Sequence, residues 1–411
     1  MFSGKAQPVI QICIIENDVA MQVFFIITRN RKLTFPVMIV LLLNILTRTM
    51  QIELDDFFAN VLDADTDSVT KQAFFKARKS ILPDAFKELF LMTRDMVLSK
   101  NKIKLHKGYR ILAIDGSELR LAKTKENKDI FVPQSRCAEN KTNARISLLY
   151  DVISNYVIDA QIGSIGISER DYAIKNLAYF SGICDEKDII IFDRGYPSRD
   201  MISALTGMGC KYLMRLQDSC FKGVKENPSN DFRITVSTKT DTYSVRVVRV
   251  ILKSGEVETL ITNLSEDEFS ADDFLDLYFL RWGIETTYDT LKNKLLIEKF
   301  AGRSPVAVLQ KYYAMMFVLN CIAAMSATVN RKLLSSKADC KYQYRANVNL
   351  MIGYFKYRLS AMLLFAEKAL DICRQLILLC LKQPVPIIKD RSAPRPEFSH
   401  QRKVFCPKYS I

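Results

Sequence analysis

The stretch KDIIIFDRGYPS, Lys187 to Ser198, constrains the fold most. Four apolar residues in a row, three of them isoleucine, leave no side for water, and β-branched side chains favour an extended backbone. Such a run is a buried strand, and it ends on a carboxylate, Asp193, followed by turn residues. Its neighbours in sequence agree. YRILAIDGSEL, from Tyr109, is a β-rich run with a turn signal at Asp115-Gly116. ARISLLYDVIS (144–154) and NYVIDAQIG (155–163) read as two strands joined by a tight Ser154-Asn155 turn. SERDYAIKNLAYF (168–180) is a helix with a capping pattern at its start, and SRDMISALTGMG a second, shorter one. Three strands, helix, strand, helix predicts an α/β fold with a sheet at the centre of the chain.

On either side the texture changes. Residues 1–100 read as a helical N-terminal region and 105–210 as the first part of the core. Residues 211–264, with CKYLMRLQD, FRITVSTKT, TYSVRVVRVILKSG and EVETLITNL, form β-type runs with no helix between them. They predict a β-rich insertion, with a hairpin turn at Lys253-Ser254-Gly255-Glu256. Residues 265–303 complete the core with a helix, 304–382 are helical, and 383–411 read as a basic, flexible tail.

A formal net charge of +14 on 411 residues calls for a polyanionic partner, nucleic acid or an acidic membrane surface. The one membrane candidate, FPVMIVLLLNIL (35–46), holds about a dozen apolar residues where a span needs about 20. It reads instead as a buried core helix, with Thr34 as its cap and Pro36 in the first turn. No secretory signal is evident, and ten cysteines are scattered from Cys13 to Cys406 without metal-ligand spacing. With only two histidines, zinc sites and histidine acid–base chemistry are disfavoured. The expected setting is a cytoplasm, without membrane insertion.

SVTKQAFFKARKSILPDAF (68–86) predicts a short helix capped by Ser68 and Thr70 and ending before Pro83. Ala73, Phe74, Ala77 and Ile81 share one side; Lys71, Gln72, Phe75, Lys76 and Lys79 share the other. A basic side carrying one exposed aromatic suits DNA recognition, and equally suits an ordinary amphipathic surface helix.

Two carboxylates, Asp115 and Asp193, each follow an apolar strand. Buried together they would repel unless a cation lay between them, and oxygen ligands favour Mg²⁺ or Mn²⁺. Each alone is also a common turn starter. A third stands in YFLRWGIETTYDTLKNKL (278–295), where Tyr278, Arg281, Glu285 and Lys292 are three, four and seven residues apart. On a helix these four share a stripe, which is either a solvated face or a substrate surface. Two aspartates and this glutamate could hold two metal ions for phosphodiester chemistry. Arg281 and Lys292 would then meet DNA phosphates, and Tyr278 a phosphate or a base.

The chain resembles the DDE transposases of the insertion-sequence-four family. Tyr278, Arg281, Glu285 and Lys292 reproduce that family's Tyr-x2-Arg-x3-Glu-x6-Lys signature. Asp115-Gly116-Ser117 matches the context of its first aspartate, and Asp193, Gly195 and Tyr196 that of its second. SERDYA and KFAGRSPVAVLQKYYA are further family-like runs, and the similarity extends from about Arg31 to Leu381. The resemblance implies an RNase H-like catalytic core with the β-rich insertion before the catalytic glutamate helix. It implies Asp115, Asp193 and Glu285 as catalytic, two-Mg²⁺ ligands, and cut-and-paste movement of a DNA element. Tyr278, Arg281 and Lys292 would hold the end phosphates. Lys71, Gln72, Lys76 and Lys79 would help bind the terminal inverted repeats, with a homodimer assembled on element and target DNA in a prokaryotic nucleoid. Family members that form DNA hairpins can stack a flipped base on a tryptophan of the insertion. Here the one tryptophan is Trp282, inside the signature, and the insertion offers Tyr212, Phe221, Phe232 and Tyr243. A nuclease without strand transfer and a non-catalytic DNA-binding derivative are the alternative readings.

Overall fold

A computed structural model describes residues 12–13, 22–23, 32–44, 47–62, 68–99, 104–136, 141–238, 241–252 and 255–388. The chain divides into two compact units: one of residues 1–86, 294–301 and 321–411, the other of residues 87–293 and 302–320.

In the first unit a short antiparallel pair, Ile12–Cys13 with Gln22–Val23, precedes α1 (Phe35–Leu43), α2 (Met50–Leu62) and α3 (Lys71–Arg78). Thr34 caps α1 by accepting from the Val37 N–H, and Pro36 through Leu43 are all buried, as expected of a core helix. Thr70 caps α3, whose Phe74 is buried. Two details depart from the helical-wheel reading. Ala73 is exposed, and Phe75 is half-buried with its ring 5.3 Å from that of Phe74, so the basic side carries no fully exposed aromatic.

The second unit takes up most of α4 (Asp84–Ser99) and then builds one sheet of eight strands. These are β1 (Arg110–Arg120), β2 (Asn143–Asp151), β3 (Tyr156–Ser164), β4 (Asp188–Phe192), β5 (Lys211–Leu216), β6 (Asp231–Ser237), β7 (Thr242–Ile251) and β8 (Val257–Thr262). Their order across the sheet is β3-β2-β1-β4-β5-β8-β7-β6. β1, β4 and β5 run parallel; every other pairing is antiparallel. β4 is buried at all five positions, as a parallel strand covered on both faces must be.

Helices link and flank these strands: α5 (Lys125–Phe131), α6 (Glu169–Phe180) between β3 and β4, and α7 (Arg199–Gly207) between β4 and β5. The predicted start of α6 is a full capping box. Ser168 accepts from the Asp171 N–H, and the Asp171 carboxylate answers the Ser168 N–H. After β8 come α8 (Asp273–Phe279) and α9 (Trp282–Asp289).

The β-rich stretch requires a correction. Lys211–Leu216, the expected first strand of an insertion, pairs in parallel with β4 and is part of the central sheet. Only β6 to β8 are additional, and they extend that sheet through the antiparallel β8–β5 pairing. Sequence texture could not separate these, because Lys211–Leu216 runs on into β-type stretches with no helix between them, and strand pairing is set by partners distant in sequence. Of the predicted 253–256 hairpin turn, Lys253 and Ser254 lie outside the described residues. The flanking strands pair as a hairpin, and Gly255 takes φ +84.

α10 (Pro305–Ser336) is the one helix among the described residues long and apolar enough to cross a membrane, and most of its apolar stretch is buried inside the protein. The first unit is completed by α11 (Val348–Leu364), kinked at Lys356-Tyr357, and α12 (Ala366–Lys382). Part of the predicted flexible tail is ordered: Val385–Ile387 pairs antiparallel with Gln343–Arg345. Alternation of valine and isoleucine around Pro386 lets this short piece pair as an edge strand. Residues 389–411 lie outside the described residues.

Candidate active site

β1 and β4 pair in parallel only as far as Ala113 and Ile191. Beyond that point each strand carries its aspartate, Asp115 two residues on in β1 and Asp193 directly after β4. The chain lays β2 and β3 on one side of β1, and β4 and β5 on the other. The carboxyl ends of β1 and β4 therefore flank a topological switch point, where open α/β sheets bind ligands.

Asp115 does not sit at a turn. β1 continues through Gly116 to Arg120, paired with β2 throughout, so the Asp-Gly turn signal is overruled by the sheet. The glycine has another use. A Cβ at Gly116 would lie 2.9 Å from Cγ of Glu169, at the start of α6, so a side chain here would push the Glu169 side chain aside from where it lies over β1.

The signature segment is not one continuous α-helix. Between α8 and α9 the bonding tightens: Leu280, Arg281, Gly283 and Ile284 each donate to the carbonyl three residues back. After Asp289 the helix widens into a π turn, Thr290–Lys294. Along the broken segment the signature residues make these contacts. The Tyr278 hydroxyl donates to Asp193 Oδ1 at 3.3 Å. Arg281 Nη2 donates to Glu285 Oε1 at 2.7 Å. Lys292 Nζ donates to Ser117 Oγ of β1 at 2.7 Å. The Tyr288 hydroxyl, which sequence reasoning passed over, donates to the Asp115 carbonyl at 2.6 Å. The segment is thus fastened to the ends of β1 and β4 at three points.

The stripe is not a solvated face. Tyr278 and Arg281 are both buried, and Tyr278 belongs to the core of this unit, with Ile191, Leu213 and Phe274. In this arrangement its ring cannot stack on a base. The Arg281 guanidinium lies 5.6 Å from the Tyr278 ring and 5.7 Å from that of Trp282. Burial opposes the Arg281 charge, but Tyr278, Asp193 and Glu285 outweigh it and raise its pKa. Glu285, in the first turn of α9, is the more solvent-open end of the ion pair, its side chain 38% exposed against 6% for Arg281.

Asp115 is less well compensated. Burial pushes the Asp115 carboxyl up to about 7. The Gly116 N–H and Arg281 oppose this rise, while Glu169 and Asp193 add to it. Carboxylate oxygens crowded in this way suit a hard divalent cation in donor type and in charge. No three acidic, cysteine or histidine side chains among the described residues converge closely enough to hold an ion in the present arrangement. Glu285 in particular is engaged by Arg281.

Of the other predicted residues, Lys71, Gln72, Lys76 and Lys79 are exposed on and just after α3 in the first unit. Among the aromatics of 211–264, Tyr212 is fully buried and Tyr243 meets Ser203 at 2.9 Å, while the Arg249 guanidinium lies over Phe232. Two aromatics at the α8–α9 break, by contrast, are exposed: Phe279, 67%, and Trp282, 39%.

This arrangement has relatives. The family model described as Transposase DDE domain matches residues 106–321, more than half of the chain. The transposase InsG for insertion sequence element IS4, from Escherichia coli (strain K12), is 22% identical over 280 residues. That match covers 64% of this chain and 62% of InsG, so the chain spans less than two thirds of that relative's length. The piggyBac transposase synaptic complex with hairpin DNA aligns over 88% of this chain and 78% of its own, at 15% identity and a TM-score of 0.44. The α/β unit carrying Asp115, Asp193 and Glu285 is a transposase DDE domain. The chain belongs to the DDE transposases, within their insertion-sequence-four family.

Proposed function

We propose that this protein binds the ends of an insertion sequence, cleaves the DNA there and transfers the strands to a target. One observation carries the reading: Asp115 and Asp193 lie side by side past the end of the parallel β1–β4 pairing, and the hydroxyls of Tyr278 and Tyr288 fasten the Glu285-bearing segment to them. The strand order β3-β2-β1-β4-β5, with a meander followed by parallel crossovers, supports an RNase H-like core.

Asp115, Asp193 and Glu285 are the residues that would hold Mg²⁺ or Mn²⁺. Two such ions, when bound, supply activation of the attacking oxygen and stabilisation of the leaving one. The rest falls to the chain's own side chains. Tyr278 orients Asp193 through its hydroxyl. Tyr288 pins the backbone of β1 at Asp115. Arg281 supplies fixed positive charge between the aspartates and Glu285, and Lys292 sets an ammonium group beside Ser117, where a phosphate crossing the strand ends would meet it. Lys71, Gln72, Lys76 and Lys79 of the first unit are read as contacts to the terminal inverted repeats, in a homodimer that joins two ends in a bacterial cytoplasm. The exposed pair Phe279 and Trp282, and not Tyr212, is where an unstacked base would find an aromatic surface.

The test is incubation of the protein with Mg²⁺, a donor carrying the element's own terminal repeats, and target DNA. Wild type is expected to yield cleaved ends joined covalently to target. Asp115→Asn, Asp193→Asn and Glu285→Gln are each expected to abolish cleavage with end binding kept within a few fold. Ends that are cut but never joined would make the protein a nuclease, and full activity of any of the three variants would remove that residue from the site.

A further inference from the structure

We propose that Glu169 is a fourth carboxylate of this site, sharing with Asp115 and Asp193 the holding of the divalent cation. The inference rests on the reading of those aspartates as metal-holding residues and adds one that the Asp-Asp-Glu signature does not contain.

Three independent features of the geometry support it. The first is approach. Glu169 opens α6, and its side chain lies over Gly116, one residue past Asp115, with Cγ 2.9 Å from where a Cβ at Gly116 would stand. The second is fixation. The neighbouring Arg170 donates from Nε to the carbonyl of Gly195 at 2.7 Å, tying the start of α6 to the loop that begins at Asp193. The backbone that carries Glu169 is therefore anchored beside the loop that follows Asp193. The third is the Tyr196 hydroxyl. Tyr196 is 1% exposed, its ring packs 5.5 Å from Phe192, and its hydroxyl is buried without a hydrogen-bond partner. After burial, the groups acting most strongly on that hydroxyl are Asp115, Glu169 and Asp193. A buried donor left unpaired among three carboxylates is costly. A hydrated cation held by those carboxylates would bring oxygen acceptors to the place where the hydroxyl lacks one.

An acidic residue in the first turn of a helix also has a purely local use, favouring the helix dipole. That role needs no glycine across from it, and it is filled on this helix by Asp171 in the capping box. Glu169 is exposed and contributes nothing to the core, so its replacement leaves the fold intact.

The experiment is titration of the full-length protein with Mn²⁺ alone, free ion being read by electron paramagnetic resonance. Wild type, Glu169→Gln, Glu169→Asp, Gly116→Ala and Asp115→Asn are compared, with circular dichroism as the check on folding. Glu169→Gln is expected to weaken Mn²⁺ binding by about 10-fold or more, the scale seen when a group supporting a metal site is removed. Glu169→Asp should recover part of the loss. Gly116→Ala, which displaces the carboxylate without removing it, should lose affinity in the same direction. Asp115→Asn should bind least. If Glu169→Gln binds Mn²⁺ like wild type while Asp115→Asn does not, the fourth carboxylate is wrong and the site stands. If wild type and Asp115→Asn bind alike, the metal site itself is wrong.

Discussion

Replacing Asp115 by asparagine should make the protein more stable at pH 8, although it removes a residue the chemistry needs. Burial, helped by Glu169 and Asp193, carries the Asp115 carboxyl from the ordinary 3.8 to about 7. The folded protein therefore holds a proton that the unfolded chain releases between about pH 4 and 7, so stability falls as pH rises through that window. At about 1.4 kcal/mol per pH unit the full effect is about 4.5 kcal/mol, present above pH 7 and absent below pH 4. Solvent relaxation will reduce this, and about 2 kcal/mol is a fair expectation. Asparagine has nearly the same shape and can still accept from the Gly116 N–H, which Asp115 Oδ1 does at 2.9 Å. Urea denaturation of wild type and Asp115→Asn in EDTA, at pH 5 and pH 8, isolates the effect. The variant should gain about 2 kcal/mol over wild type at pH 8 and much less at pH 5. Added Mg²⁺ should then stabilise wild type at pH 8 and leave the variant unchanged. A variant equal to or less stable than wild type at pH 8 in EDTA would refute the claim that the surroundings of this half-buried carboxylate oppose its charge.

Other substitutions probe the frame around it. Tyr278→Phe keeps the ring in the core and deletes the hydroxyl bond to Asp193, so stability should change by about 1 kcal/mol or less while DNA cleavage falls; unchanged cleavage rates would remove Tyr278 from the orientation of Asp193. Asp231→Asn should destabilise the second unit by about 2–4 kcal/mol in urea, because it takes the carboxylate from Arg246, whose side chain is 1% exposed; a loss under 1 kcal/mol would mean the carbonyls of Ser265 and Phe269 suffice. Lys76→Ala should lower DNA affinity about equally for all sequences and reduce the slope of log affinity against log salt by about 1, and an unaltered slope would take α3 away from the phosphates.

Much of the site was legible because its elements have local causes. The Ile189–Phe192 run can only be a buried strand, the Ser168/Asp171 box starts a helix wherever it occurs, and Thr34-Phe35-Pro36 begins α1 as written. What was not legible depends on partners distant in sequence. Asp115-Gly116 has the form of a turn and is a strand, because β2 supplies nine consecutive register partners from Leu112 to Arg120. The glycine answers to Glu169, 53 residues away, and no local pattern states that. Glu169 itself was readable only as the start of a helix.

The signature segment shows where periodicity stops being informative. Spacings of three, four and seven predict a stripe, but a stripe has no sign: the same pattern serves a face turned to water and one turned to the core. Tyr278 and Arg281 turn inward because Phe274 and Leu277, one turn earlier, are fully buried and fix the rotation of α8. A single ideal helix would then have carried Lys292 round on the same line as Arg281. The tightened bonding at Leu280–Ile284 and the π turn at Thr290–Lys294 change that rotation at two places. Along this line Arg281 and Glu285 pair with each other at ordinary i,i+4 helical spacing, while Tyr278 meets Asp193 and Lys292 meets Ser117. A π turn is an insertion-like irregularity, and such turns cluster at functional sites because regular helix cannot make that correction. The spacing therefore encodes not a straight stripe but one ion pair within the segment and two contacts, from Tyr278 and Lys292, that let it address both β1 and the end of β4.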